Sequence, residues 1–564
     1  MKKPLRLKCI SIAFVLLVTS AAQVYSQRST LVPDVEPFKI GRGTIFSAST
    51  SKTESTPNRR HNRKFLIADD VVADYKEALN VIKNNYVNAN ENFDDLNKSA
   101  INLMLNALDP HSSYFDKREF EELLTEQNSE YFGIGATIAN YKEAGVYQTF
   151  VISTIPESSS NRAGIRFGDK IIAVNGEKVE GYSSNYVRDK VRGKLNTKVR
   201  IKIQRALTGK TETFYLKRTR VAQPSIPDSY MLTPNLGYIA LSNGFNYTTS
   251  KELTAAMSNL SEQGMTSLVI DLRGNPGGIL EQAVRVVEKF ISFGKVVTTQ
   301  KGRLPYDDRA WKSRNREPAT LPLILLVNDE TASASEVVAG ALQDYDRALI
   351  VGERTFGKGL VQSIIELPSG GGLTLTTAKY FTPSGRLIQR DYSDGGLYAY
   401  YRHEGKQAGV GAQTAEKTTH GRVVYGGDGI SPDLEVKSIE FSQTQIDLQD
   451  ELFLFSRELA AGRIKGLENF AAKRKSETTA KIGTNEFQLN ETVLDGFFDW
   501  CAKNSVQIKK PTIYENKNFI TEQIRYNLAS ATFGNVKANQ ILIANDPQVR
   551  AAIGSVKDAA KMIR

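Results

Sequence analysis

Twice between residues 223 and 440 a short, mostly apolar run stops at a polar turn and gives way to helical spacing. Ser267–Leu272 leads into Arg273-Gly274-Asn275-Pro276-Gly277-Gly278, after which Leu280, Ala283, Val284 and Val287 fall on one helical face. Leu321–Val327 leads into Asn328-Asp329-Glu330-Thr331-Ala332-Ser333, after which Ala334, Val337, Val338, Ala341, Leu342 and Tyr345 do the same. A run without polar alternation is a strand buried on both faces, the usual state of parallel strands joined by helical crossovers. Gly237–Leu241 and Ala348–Val351 are further buried-strand candidates, and Ile279–Ile291 and Ser335–Tyr345 have helical spacing. This region therefore reads as α/β.

The flanks read differently. Met1 to Lys8 carries four basic residues and no acid, an apolar run follows from Cys9 to about Val18, and a cut is expected after Val24-Tyr25-Ser26. This is the pattern of a secretory signal over residues 1–26 and predicts export to the periplasm or cell envelope. The alternative is a retained anchor, but the run is short for a span and no second one follows, so no stable membrane span is expected once the signal is removed. Cys501 is then the only mature cysteine, which leaves no internal disulfide and makes the cores carry the stability. Removing the four signal charges lowers the net charge from +11 to +7, a modest excess, and no basic run is interleaved with aromatics, which argues against nucleic acid.

Residues 27–63 are rich in Ser, Thr, Arg and Lys and read as a flexible linker. An N-terminal helical region follows over 64–128, interrupted by a turn at Asp109-Pro110-His111-Ser112-Ser113-Tyr114-Phe115. Residues 129–222 alternate β-type runs (Val146–Ile152, Lys170–Val174, Val199–Ile203, Thr213–Lys217) with glycine turns. The α/β core spans 223–440. From 441 to 564 strand patterns vanish and helical spacing returns, as in Leu448, Leu452, Phe455 and Leu459. That extension packs on the core, self-associates or docks an adaptor; packing is the default, since an amphipathic helix must bury its stripe.

Ser333 would sit at the mouth of a helix, where free amides and the macrodipole favour an oxyanion. An ordinary helix cap explains it equally well, and Ser335 or Thr331 are alternatives for that part. Lys358 adds weight. It lies in Thr355-Phe356-Gly357-Lys358-Gly359-Leu360-Val361-Gln362, where apolar neighbours would desolvate the amine and lower its pKa. If Lys358 opens a strand, Gln362 lies on the same face and holds the amine without adding charge. The amides of Gly277 and Gly278, with that of Ala334, are candidate oxyanion donors. A serine and a neutral lysine suffice for hydrolysis without histidine.

Other chemistries fit less well. Gly274-Asn275-Pro276-Gly277-Gly278 is similar to a trypsin-type serine segment, but proline stands at the serine position. His61, His111, His403 and His420 suggest no triad. Ser49-Thr50-Ser51-Lys52 and Ser292-Phe293-Gly294-Lys295 lack the companions of penicillin-binding chemistry. No His, Cys and acid cluster has ligand spacing, so neither metal nor cofactor is expected.

The ordered motifs from about residue 65 to 440 closely resemble the C-terminal processing peptidases, the tail-specific serine proteases. They include Asp109-Pro110-His111-Ser112-Ser113-Tyr114-Phe115, Phe132-Gly133-Ile134-Gly135, Arg162-Ala163-Gly164-Ile165, Gly168-Asp169 with Asn175-Gly176, Asp271-Leu272-Arg273, the serine and lysine segments, and Tyr425-Gly426-Gly427-Asp428-Gly429-Ile430-Ser431-Pro432-Asp433. The family's nucleophile and lysine stand 25 residues apart, as Ser333 and Lys358 do here, which selects Ser333 over Ser335. The resemblance implies a crotonase-like α/β protease core with a PDZ domain inserted before it. It also implies a serine endopeptidase with Ser333, Lys358 and Gln362 at its centre, acting on proteins or peptides with free C-termini. Phe132, Gly133, Ile134 and Gly135 would hold the substrate's terminal carboxylate while its chain adds as a strand. Pro276 stands where relatives often have glycine, which leaves the choice between Gly277 and Gly278 open. The alternative from another class is a catalytically silent PDZ scaffold of the cell envelope.

Overall fold

A computed structural model of the chain describes residues 68–88, 92–392, 400–401, 415–473, 482, 486–504 and 506–563. The signal, the linker over 27–63, His61 and His403 lie outside the described residues. Among those described, no helix is long and apolar enough to cross a membrane.

The chain enters through two helices, α1 (Ala68–Asn85) and α2 (Phe93–Asn106); the Asn92 side chain caps α2. A bend follows because the Asp109 carboxylate accepts the amides of His111 (2.7 Å) and Ser112 (2.8 Å). The turn expected over Asp109–Phe115 is thus only half a turn: Ser113–Phe115 is extended as strand β1. Helix α3 (Lys117–Glu126) starts at a capping box between Asp116 and Glu119.

Residues 130–222 form the second unit. A ribbon of β2 (Glu130–Gly133) and β8 (Thr219–Ala222) joins it to its neighbours. Its sheet runs in the order β3 (Ala136–Glu143), β4 (Val146–Thr154), β5 (Lys170–Val174), β6 (Lys198–Gln204), β7 (Thr211–Lys217), with Glu177–Lys178 beside β5. Helix α4 (Ser184–Val191), capped by Ser183, buries Val187 and Val191 against Val151, Ile165, Ile171 and Ile201. Strand β3 has one sheet neighbour, so its other side is a free edge.

The core is built on a six-stranded sheet. Its order is β9 (Asp228–Thr233), β10 (Leu236–Ala240), β11 (Ser267–Asp271), β14 (Leu323–Val327), β15 (Leu349–Gly352), β18 (Leu434–Glu435). All pairs but the first are parallel. The crossovers include α5 (Thr249–Glu262), α6 (Leu280–Val287) and α7 (Ala334–Asp344). Every residue of α7 is buried, not only the expected stripe, because the helix is enclosed by α6 and by strands of two sheets. The second sheet is antiparallel: β1 and β12 (Val296–Gly302) flank β17 (Gly372–Phe381), with β13 (Arg309–Lys312) beyond β12 and β16 (Leu360–Glu366) paired to β17.

The C-terminal extension touches both units. Helix α8 (Gln449–Ala460) carries Phe453, which stacks on Tyr141 of β3 at 3.7 Å and meets Phe150 and Phe167 edge-on. The Arg457 guanidinium donates to the Gly168 carbonyl at 2.7 Å. Helices α9 (Glu491–Lys503) and α10 (Lys517–Phe533) pack with α8 around Phe455, Phe497, Ile520 and the buried thiol of Cys501. After α11 (Asn535–Asn545), the short helices α12 (Pro547–Gly554) and α13 (Val556–Lys561) cover the core sheet with Val549, Ala552 and Ala559. There Asp546 and Gln548 accept from the buried Arg273 guanidinium at 2.7 and 2.8 Å. Phe453→Ala is expected to cost about 3 kcal/mol in urea denaturation, the usual penalty for emptying a large aromatic site. A loss under about 1 kcal/mol would mean that β3 docks without that ring.

Candidate active site

Strands β11 and β14 are parallel neighbours, so the polar turns at their ends lie side by side. They are stitched together: Gly274 N–H donates to Asn328 Oδ1 (2.9 Å), Thr331 Oγ1 to the Leu272 carbonyl (2.9 Å), and both Ala332 N–H and Ser335 Oγ to the Asn275 carbonyl (3.0 Å each). Thr331 and Ser335 are consumed by this stitching. Ser333 is not, and its hydroxyl has no hydrogen-bond partner among the described residues. It takes the N-cap position of α7 with φ 56° and ψ −117°, outside the regions that L-residues favour. Such strain persists where surrounding contacts hold it.

Here the holder is Glu336, which the sequence reading did not single out. Its buried carboxylate accepts Ser333 N–H (2.8 Å), Gly357 N–H (2.7 Å), Lys358 N–H (2.8 Å) and Thr355 Oγ1 (2.5 Å). Burial pushes its carboxyl up to about 7, against those four hydrogen bonds. One side chain thus fixes the backbone of the serine and of the lysine. Tyr380 of β17 adds a second tie, its hydroxyl donating to the carbonyls of Ser333 (2.9 Å) and Lys358.

Lys358 lies just before β16 rather than opening it, and a bulge at Val361 and Gln362 adjusts the register. The expected pair still forms: Lys358 Nζ donates to Gln362 Oε1 at 2.7 Å. Gln362 Nε2 in turn donates to the His111 carbonyl, so the bend before β1 aims the glutamine. Burial lowers the Lys358 amine to about 8, only partly offset by Asp109 and Glu336. His111 is enclosed by Phe356, Tyr400 and Tyr401, with its Nε2 2.9 Å from the Tyr400 hydroxyl. Burial, helped by the charges of Lys358 and Arg390, holds its imidazole well below the usual range.

The two glycines differ. Gly277 N–H donates to Asn275 Oδ1 at 2.9 Å. A Cβ there would come within 2.7 Å of Ser333 Cβ and 2.9 Å of Ala334 N, so glycine is needed for the turn to close on the serine. The N–H groups of Gly278 and Ala334 have no partner among the described residues.

In the second unit, Phe132 and Gly133 end β2, and Ile134 and Gly135 form the link to β3. Their carbonyls are engaged inward: Gly193 N–H donates to Phe132, Ser160 N–H to Ile134, and Ile155 N–H with the Ser158 and Ser160 hydroxyls to Gly135. The amides of Ile134 and Gly135 have no partner among the described residues. Gly135 has φ +74°, and a Cβ there would strike Ser158 at 2.2 Å.

Residues 235–395 match the model of peptidase family S41, and residues 150–205 match that of a PDZ domain. The chain is 34% identical over 355 residues to the carboxy-terminal-processing protease of Bartonella bacilliformis, covering 62% of this chain and 78% of that protein. It is 35% identical over 318 residues to the carboxy-terminal processing protease CtpA of Bacillus subtilis, covering 56% of this chain and 66% of that protein. Among solved structures, the photosystem II D1 C-terminal processing protease is 26% identical, with a TM-score of 0.33 and coverage of 66% of this chain and 94% of that one. A PDZ domain set ahead of this α/β core, together with identity over most of a processing protease's length, leads to one conclusion: the chain belongs to peptidase family S41 and is a serine-type peptidase related to the carboxy-terminal processing proteases.

Proposed function

We propose that this peptidase is an exported endopeptidase in which Ser333 is the nucleophile and Lys358 its general base. The observation that carries this reading is the Lys358 amine, desolvated to about 8 and held by an uncharged partner. At pH 7 roughly one such amine in ten is neutral, against about one in 2,500 at the reference value. Neutral Lys358 takes the Ser333 hydroxyl proton as Oγ attacks the peptide carbonyl carbon. The free amides of Gly278 and Ala334 receive the oxyanion. Collapse breaks the C–N bond, the ammonium returns its proton to the leaving amine, and water then hydrolyses the Ser333 ester by the reverse sequence. Amine and hydroxyl are not hydrogen-bonded to each other in this structure; such contacts often tighten only when substrate arrives.

The free amides of Ile134 and Gly135, beside the unpaired edge of β3, support capture of a substrate's C-terminal carboxylate by the PDZ domain. The basic start and apolar run of residues 1–26 support export to the periplasm or cell envelope, which fractionation of cells expressing the tagged chain tests.

Purified residues 27–564 should cleave an unstructured protein, and Ser333→Ala and Lys358→Ala should each lose at least about a thousandfold in turnover while keeping the parental circular dichroism and melting temperature. Near-parental activity in Lys358→Ala would remove the lysine as base. Because the neutral amine is the working form, kcat/KM should rise with pH, about tenfold per unit below the lysine value. It should level off above about 8. A profile flat from pH 6 to 9 would contradict this. Peptides amidated at the C-terminus should be cleaved more slowly than free acids; equal rates would refute tail capture.

A further inference from the structure

The free edge of β3 is not open along its whole length. Lys142 N–H, near the end of the strand, donates to Asp450 Oδ1 at 3.0 Å, and Asp450 lies on α8 of the C-terminal extension. The hydrogen-bond pattern shows which groups face that edge. Residues Tyr147 and Val151 of β4 turn their carbonyls away from β3, toward Gly181 N–H and Gly168 N–H. Their partners on β3 are Lys142 and Ile138. In an antiparallel pair, residues opposite each other at such positions both point their polar groups outward, and the pattern repeats every second residue. The register shifts between Thr137 and Ile138, but Gly135 beyond the shift still turns its carbonyl to β4, at Ile155 N–H, so the outward amides of β3 are those of Ala136, Ile138, Asn140 and Lys142.

These same residues set the groove. Ala136 and Ile138 pack toward Val187 and Val191 of α4, whereas Ala139 and Tyr141 point the other way, into the cluster with Phe453. A chain lying between β3 and α4, with its carboxylate at Ile134 and Gly135, would run antiparallel to β3 toward Lys142. It would pair with Ala136, Ile138 and Asn140 in turn and then meet Asp450, already occupying the next amide. Three pairs at alternate positions span about five residues.

We propose that Asp450 is the end stop of the tail-binding groove, limiting strand pairing to about five C-terminal residues of the substrate. The proposal rests on the tail-capture reading above. The extension, which covers the back of β3 through Phe453, thereby also sets how much of a tail is read along its edge. Phe453 and Arg457 hold α8 in place, so the block does not depend on the carboxylate alone reaching across from a mobile segment.

The test uses residues 27–564 carrying Ser333→Ala, to prevent cleavage, and fluorescein-labelled peptides of alternating Ala and Val, four, six, eight and ten residues long, with free or amidated C-termini. In this background affinity should rise from four to six residues and then stay flat. Adding Asp450→Ala frees the Lys142 amide, and affinity should continue to rise, by about threefold or more between six and eight residues, the effect of roughly one added backbone hydrogen bond. Asp450→Asn keeps an acceptor oxygen and should restore the plateau, which a general loosening of α8 would not do. Affinity that climbs from six to ten residues as steeply with Asp450 intact as in the Asp450→Ala variant would overturn the end stop. Amidated peptides binding as tightly as free acids at every length would instead remove tail capture, and the end stop with it.

Discussion

A single buried carboxylate, Glu336, holds the serine and lysine segments together. Ser333 and Lys358 come from different crossovers of the core, and neither segment has regular structure at the residue that matters. Glu336 gathers the amide of the one and two amides of the other, at distances of 2.7 to 2.8 Å. The arrangement is costly, since burial raises the carboxyl to about 7. Four donors around one acceptor offset that cost, and removing the acceptor would leave the amides unpaired in a dry site. The unfavourable backbone of Ser333 is sustained by the same contact.

Much of this was legible in the sequence, for identifiable reasons. The buried strands of the core announce themselves because both their faces are covered, leaving no polar alternation to confuse with a surface strand. The pairing of Lys358 with Gln362 was readable from their four-residue spacing, and a family spacing singled out Ser333. Glu336 was readable too, and went unread: Ser333-Ala334-Ser335-Glu336 has the form of a capping box, in which the acid reaches back to the cap amide. The signal was there, but nothing local tells that the same carboxylate also receives Gly357 and Lys358, some twenty residues away in sequence.

What stayed hidden depends on contacts between distant segments. The antiparallel sheet of β1, β12, β13, β16 and β17 has mixed, half-exposed strands whose pattern resembles loop. Ser113–Phe115 looked like part of a turn because its proline and polar neighbours dominate; only pairing with Gly372–Thr374 makes it a strand. Likewise Gly277 and Gly278 are indistinguishable as letters. They separate once the Asn275 side chain is seen to occupy one amide and leave the other.

Arg273, next to the glycine turn, draws two of its acceptors from Asp546 and Gln548, the first of them 273 residues downstream. During synthesis those partners emerge long after the serine and the lysine have left the ribosome. A nascent chain therefore carries Ser333 and Lys358 for a long interval before the Asp546 and Gln548 acceptors of Arg273 exist. The order of residues along the polypeptide acts as a clock: these Arg273 contacts beside the glycine turn close only once the C-terminal extension has been made.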